Sequence, residues 1–201
     1  MSRRLPVSFC SALMFGGWLA LGSAGTTALA ATAAPAATAP ADTASAPAST
    51  LAQWRELKLK FDYNGFTALY TCDGLEGKVR QILLSFGARS DLKVRATGCD
   101  YGSSRPSRFA WVTAEFSALA PAPQPAPADA VKASWVKVQL APNRPGFMGA
   151  GECELVEQMH ELLQKGFALR NTEYRTRCVP HQVSLGDYSV TTEVLKPAPA
   201  N

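Results

Sequence analysis

The chain has 201 residues, the length of one ordinary domain or two small ones, and its 20 basic and 16 acidic side chains give a net charge of +4. This weak, scattered excess of basic residues argues against a nucleic-acid-binding protein, which needs a concentrated basic stripe. With two histidines and no closely spaced cysteine pair, the sequence also predicts neither a metal site nor a cofactor.

The N-terminus has the three parts of a secretory signal peptide. Arg3 and Arg4 are followed by an apolar run over residues 7–21 and by the small-x-small sequence Ala-Leu-Ala at 28–30. The alternative, a transmembrane anchor, needs about 20 apolar residues, and this run is shorter. We therefore predict a signal peptide over residues 1–30, a location in the periplasm or outside the cell, and no stable membrane insertion after cleavage.

Three segments are predicted to be disordered because they lack the large apolar side chains that offset the entropy of ordering. Ala, Pro, Thr and Ser make up nearly all of residues 31–50, a second Ala/Pro run covers 119–130, and a short tail covers 197–201. The first segment is interpreted as a flexible tether, and the second as a loop that divides the folded body.

An internal repeat becomes visible when Trp54 is aligned with Trp135, an offset of 81 residues. The residues that then match are of rare or structurally special types. They are Gly65 with Gly146, Phe66 with Phe147, Cys72 with Cys153 and, at an offset of 79, Gly87 with Gly166 and Cys99 with Cys178. The sequence therefore predicts two related halves, over residues 51–118 and 131–196.

Each half begins with a predicted strand and helix. Alternating apolar residues predict the strand, at Leu57, Leu59 and Phe61 in the first half and at Val136, Val138 and Leu140 in the second. A helical apolar stripe follows, formed by Leu75, Val79, Ile82, Leu83 and Phe86, and by Leu155, Met159, Leu162 and Leu163. Thr71 or Asp73 is predicted to cap the first helix, and Gly87 and Gly166 are predicted to adopt the left-handed conformation that stops a helix.

Two further strands are predicted to complete each half. Extended runs over 91–98 and 169–177 each end near a cysteine, and closing strands follow over 108–118 and 188–195. The predicted fold class is α+β, with tandem strand–helix–strand–strand repeats and two helices on one side of a largely antiparallel or mixed sheet. Trp54 and Trp135 are predicted to lie partly buried on the helix side.

Four cysteines remain once Cys10 leaves with the signal peptide, and they allow three pairings. A helix packed on a sheet runs antiparallel to the strand that follows it, so the start of the helix lies near the end of that strand. This geometry selects Cys72–Cys99 and Cys153–Cys178, one structural disulfide in each half. Because the protein is predicted to be exported to an oxidising compartment, both cysteine pairs are expected to be oxidised.

Few residues suggest a catalytic or binding role. Neither histidine, His160 nor His181, lies in a catalytic motif. The best carboxylate cluster is an acidic run at the second helix, formed by Glu152, Glu154, Glu157 and Glu161, and it is interpreted as a solvated face. The candidate binding loop is 100–108, where Tyr101, Arg105 and Arg108 suit an anionic or glycan partner.

A family resemblance adds a glycan hypothesis. The stretch Trp-Val-Lys-Val-Gln-Leu at 135–140, then a helix, then Gly-Phe at 166–167, resembles the sporulation-related repeat domain, which binds cell-wall glycan. The resemblance covers one half, and the disulfides depart from it. We predict a non-catalytic exported binding or interaction module, whose partner is a cell-envelope glycan or another periplasmic protein. The alternatives are a dedicated glycan-binding domain and a carboxylate-dependent envelope hydrolase.

The signal-peptide interpretation predicts that the exported protein begins at Ala31. Intact-mass measurement of the protein recovered from the periplasm or medium should show a chain lacking residues 1–30, because cleavage follows the small-x-small sequence. An exported protein that keeps its first 30 residues would contradict this interpretation and favour a membrane anchor.

Overall fold

The computed structural model describes residues 49–99 and 105–198, so the predicted signal peptide, nearly all of the predicted tether, most of the tail and Tyr101 lie outside the described residues. Within them the chain forms six strands and two helices. In chain order these are β1 (Thr50–Asn64), α1 (Cys72–Ser85), β2 (Lys93–Thr97), β3 (Phe109–Pro121), β4 (Val131–Leu140), α2 (Cys153–Gly166), β5 (Leu169–Arg177) and β6 (Asp187–Pro197).

All six strands belong to one antiparallel sheet with the order β2-β3-β1-β4-β6-β5. Each half contributes three neighbouring strands, and the halves join where Thr50–Ala52 of β1 pairs with Val131–Ala133 of β4. This confirms the predicted α+β fold and its strand–helix–strand–strand halves. β3 extends to Pro121 and β6 to Pro197, so both strands run slightly into segments predicted to be disordered.

The ends of α1 are set by the residues that the sequence indicated. The Thr71 side chain accepts a hydrogen bond from the Gly74 amide at 3.0 Å, and Gly87 leaves the helix with a φ of +92°. The matching interpretation of Gly166 is wrong, because this residue is helical and its φ is not positive. A Cβ there would lie 2.8 Å from the Phe116 ring, so Gly166 permits close packing of α2 on the sheet.

Both helices pack on the same face of the sheet and share one apolar core with it. The core draws almost fully buried side chains from both halves, including Leu75, Ile82, Val112, Leu155, Met159 and Val190. α2 packs against β1, a strand of the other half, as well as against its own β5 and β6. The two halves therefore form one body with a common core.

Polar side chains at the start of α2 hold the loop that follows β1. Oε2 of Glu154 accepts hydrogen bonds from the backbone amides of Phe66 and Thr67, at 2.7 and 3.0 Å. The Gln158 amide bonds both backbone groups of Asn64, at 2.9 Å to its N–H and 2.7 Å to its carbonyl. These two side chains satisfy backbone groups of the first half that no neighbouring strand pairs.

A buried ion pair adds a third link between the halves. Nζ of Lys78 on α1 lies 2.6 Å from Oε1 of Glu152, and both side chains are largely buried. The prediction of a solvated acidic face is therefore wrong for Glu152 and Glu154, each of which is only 7% exposed. Glu157 and Glu161 are exposed, as predicted. Sequence reasoning missed these roles because the partners lie in the other half.

The two disulfides confirm the predicted pairing. Cys72 bonds to Cys99 and Cys153 to Cys178, with Cα–Cα distances of 5.9 and 5.6 Å. Each bridge ties the start of a helix to the end of the strand after it, as antiparallel packing requires. Two disulfides in a protein of this size indicate an oxidising extracellular compartment.

Trp54 and Trp135 are half-buried in corresponding places, but the prediction that they lie on the helix side is wrong. Trp54 lies opposite Leu119, and Trp135 opposite Leu195, on the face away from the main core. There they cover a small cluster formed by Ala52, Leu119, Ala133 and Leu195. An arginine stacks on each ring: Arg89 at 5.8 Å and Arg170 at 4.3 Å from the ring centroids.

The link through Glu154 can be tested by removing its carboxylate. Glu154→Ala should lower the free energy of unfolding by about 2 kcal/mol, because two part-buried backbone amides lose a charged acceptor. Urea unfolding of the mature protein measures the change. The control Glu161→Ala, whose exposed carboxylate pairs with Lys165, should stay within about 0.5 kcal/mol of wild type. Equal stability of the two variants would contradict the proposed link.

Candidate functional site

Arg108, at the end of the predicted binding loop, and His181, in the loop after β5, both contact the ring of Phe66. The Arg108 guanidinium lies 5.1 Å from the centroid of the Phe66 ring, and the His181 ring meets the same ring edge-on at 5.1 Å. Arg105 and Arg108 are both exposed, whereas Tyr101 lies outside the described residues. The binding role of this loop stays a prediction.

A stronger candidate lies on the sheet face opposite the helices, here called the open face. In the first half it consists of Trp54, Glu56, Lys58, Lys60, Asp62 and Asn64 of β1, the outward residues Phe109, Trp111, Thr113 and Glu115 of β3, and Lys93, Arg95 and Thr97 of β2. Trp111 is 64% exposed and Phe109 57% exposed, two positions apart on the same strand. Two large exposed aromatic side chains side by side are typical of a recognition surface.

Gly98 holds Trp111 in place. A Cβ at residue 98 would lie 2.5 Å from two atoms of the Trp111 ring, so the ring rests directly on the glycine backbone. Gly98 also has a φ of +81°, a conformation that other residues rarely adopt. One part of the indole is therefore fixed against the protein while much of the ring remains open to solvent.

An apolar cavity of about 310 Å³ lies beside these rings. Its lining residues are Asp62, Tyr63, Asn64, Gly98, Phe109, Ala110 and Trp111. In the strand register Asp62 lies directly opposite Trp111, and Asn64 directly opposite Phe109. The Asn64 side-chain oxygen is buried and has no hydrogen-bond partner among the described residues. The cavity thus combines an aromatic wall with the exposed carboxylate of Asp62.

A second cavity of about 400 Å³ lies further along the open face and is lined mainly by charged residues. Two ion pairs cross it: Lys58 to Glu115 at 2.6 Å and Arg89 to Asp91 at 2.8 Å. The hydrogen bond from Arg89 lowers the pKa of Asp91, and that from Lys58 lowers the pKa of Glu115, so both carboxylates remain ionised. These charges are largely satisfied by one another.

Within 49–99 and 105–198, no group of three or more His, Cys, Asp or Glu side chains is placed to hold a metal ion. His160 stacks on Tyr174 at 3.7 Å between ring centroids, and burial lowers the pKa of this histidine. No helix in the described ranges is long and apolar enough to cross a membrane.

Comparison with known proteins adds no identification. No protein-family model matches the sequence, and neither a curated protein nor a solved structure shows significant similarity to it. The resemblance of the second half to the sporulation-related repeat domain therefore rests only on the residues named for it.

The position of Trp111 predicts that Gly98 cannot be enlarged. Gly98→Ala should lower the free energy of unfolding by about 1–2 kcal/mol and shift tryptophan fluorescence, because the methyl group displaces the indole and strains a positive φ. The control Gly77→Ala, in the exposed middle of α1 with nothing within 4 Å, should instead stabilise the protein by about 0.5–1 kcal/mol. Wild-type stability and emission in the Gly98 variant would contradict the packing described.

Proposed function

We propose that the protein is an exported, non-catalytic binding module that recognises carbohydrate at the cavity beside Trp111. The observation that carries the proposal is the indole of Trp111, held on Gly98 and 64% exposed, next to Asp62 and Asn64. It supports a ligand that offers a flat apolar surface and hydroxyl groups together.

A sugar ring has this combination. Its axial C–H bonds carry slight positive charge and favour the negative face of an aromatic ring, and its hydroxyls donate hydrogen bonds to a carboxylate. Asp62, directly across the strand pair from Trp111, supplies such an acceptor.

Export is supported by the two disulfides and by the signal-peptide pattern of residues 1–30. The Ala/Pro-rich segment at 31–50 fits a tether that gives the folded body reach. We propose the periplasm or the outside of the cell as the location, and a cell-envelope glycan as the partner.

The alternative of a carboxylate-dependent hydrolase is less well supported. Glu152 and Glu154, the most buried of the candidate carboxylates, are engaged by Lys78 and by backbone amides, which suits a structural role. Asp62 is exposed and has no second acidic residue opposite it in the strand register, whereas glycoside hydrolysis generally uses a carboxylate pair.

Co-sedimentation of the purified mature protein with peptidoglycan, followed by assay of the supernatant for released fragments, tests the proposal. We expect the protein to sediment with the glycan and to release no fragments. Fragment release would favour the hydrolase, and binding to a periplasmic protein without any glycan binding would favour an interaction module.

A single variant assigns the binding to the cavity. Trp111→Ala should lose at least about tenfold in glycan affinity, since it removes the stacking surface, yet remain folded, because only the part of the ring that rests on Gly98 is buried and its loss costs about 1–2 kcal/mol. The control Val183→Ala removes another exposed apolar side chain, 75% exposed and in the loop after β5, and should bind as wild type. Undiminished binding by the Trp111 variant would exclude this cavity as the site.

A further inference from the structure

The open face carries a band of positive charge immediately beside Trp111. In the strand register Arg95 of β2, Thr113 of β3 and Lys60 of β1 form one row across the sheet, and the next row contains Thr97, Trp111 and Asp62. Because outward residues on one strand recur every two positions, these rows are about 7 Å apart. Arg95 and Lys60 therefore lie diagonally next to the indole, within reach of a group bound to it.

These two cations are exposed and have no ion-pair partner among the described residues. Lys93 in the following row is also exposed, but it lies directly opposite Glu115 in the strand register. By contrast, Lys58 in that row is paired with Glu115. Two unpaired cations, Lys60 and Arg95, thus lie in the row next to Trp111. Asp62 lies in the same row as Trp111, directly across the strand pair from it.

From this arrangement we infer that the carbohydrate ligand is an acidic polysaccharide, bearing carboxylate, phosphate or sulfate groups. This inference rests on the proposed function. One sugar ring stacks on Trp111 with its hydroxyls toward Asp62, and the acidic group of that sugar or its neighbour reaches Lys60 and Arg95. A neutral glycan makes only the contacts with Trp111 and Asp62.

Charge placement distinguishes this ligand from single-stranded nucleic acid, which also combines stacking with cationic contacts. A nucleic acid carries a phosphate at every residue, so one lies close to each stacked base, and Asp62 directly opposite Trp111 repels it. The band is also short, since Glu56 and Asp62 lie on either side of it along β1. A polysaccharide with separated acidic groups fits this alternation better.

Affinity gel electrophoresis with polysaccharides that differ only in charge tests the inference. Suitable pairs are hyaluronate, which carries a carboxylate on every second sugar, with its methyl ester, and sparsely sulfated dextran with dextran. The wild-type mature protein should bind the acidic member of a pair more tightly, and raising the salt concentration from about 50 to about 500 mM should reduce that preference because the cations are exposed.

Matched variants locate the effect. The double variant Lys60→Gln/Arg95→Gln should lose about fivefold in affinity for the acidic member and keep its affinity for the neutral one, given the modest strength of exposed ion pairs. The control Lys137→Gln/Arg175→Gln removes the same charge from exposed positions on the open face of the second half and should bind as wild type.

The outcomes separate the two claims. If Trp111→Ala abolishes binding but the Lys60/Arg95 variant keeps the acidic preference, the carbohydrate proposal stands and the inference about charge is wrong. If no polysaccharide of either kind binds, both are wrong. Tighter binding of oligo-dT than of any acidic polysaccharide, lost in Trp111→Ala, would overturn the inference in favour of a nucleic-acid ligand.

Discussion

The first turns of α2 are the constraint on which the rest of the structure depends. Gln158 bonds the last residue of β1, Glu154 bonds the loop after it, and Glu152 pairs with Lys78. The apolar side of the helix completes a core to which both halves contribute. The direct pairing of β1 with β4 spans only three residues on each strand, too few to align two sheets alone. A half of this size also buries too little apolar surface to be comfortably stable by itself.

This packing explains why the other face of the sheet is free. With both helices on one side, only the centre of the open face is covered, by Trp54 and Trp135 under Arg89 and Arg170. These arginine–tryptophan stacks protect the point where the halves meet. The outer part of the first half keeps Phe109 and Trp111 exposed. A ligand bound there would leave the core undisturbed, because an antiparallel sheet can have one face packed on the core and the other in solvent.

Local patterns predicted much of the fold. Alternation marked the strands, a 3.6-residue period marked the helices, and helix-on-strand geometry selected Cys72–Cys99 and Cys153–Cys178. The sheet face on which Trp54 lies could also have been predicted from the sequence. Three positions separate Trp54 from Leu57, and residues an odd number of positions apart on a strand point to opposite faces. The sequence could not predict the buried role of Glu154 or the position of Asp62 opposite Trp111. Both depend on strand order and on contacts between the halves, which periodicity does not reveal.

Hydrogen exchange on a protein lacking one disulfide tests the common core most directly. In Cys153→Ser/Cys178→Ser the bridge is removed from the second half only. If the halves share one core, protection of the slowest amides should fall by the same factor in β1 and β3 as in β4 and β6, because all of them exchange through one cooperative unfolding. Wild-type protection in β1 and β3, with loss confined to the second half, would contradict the account.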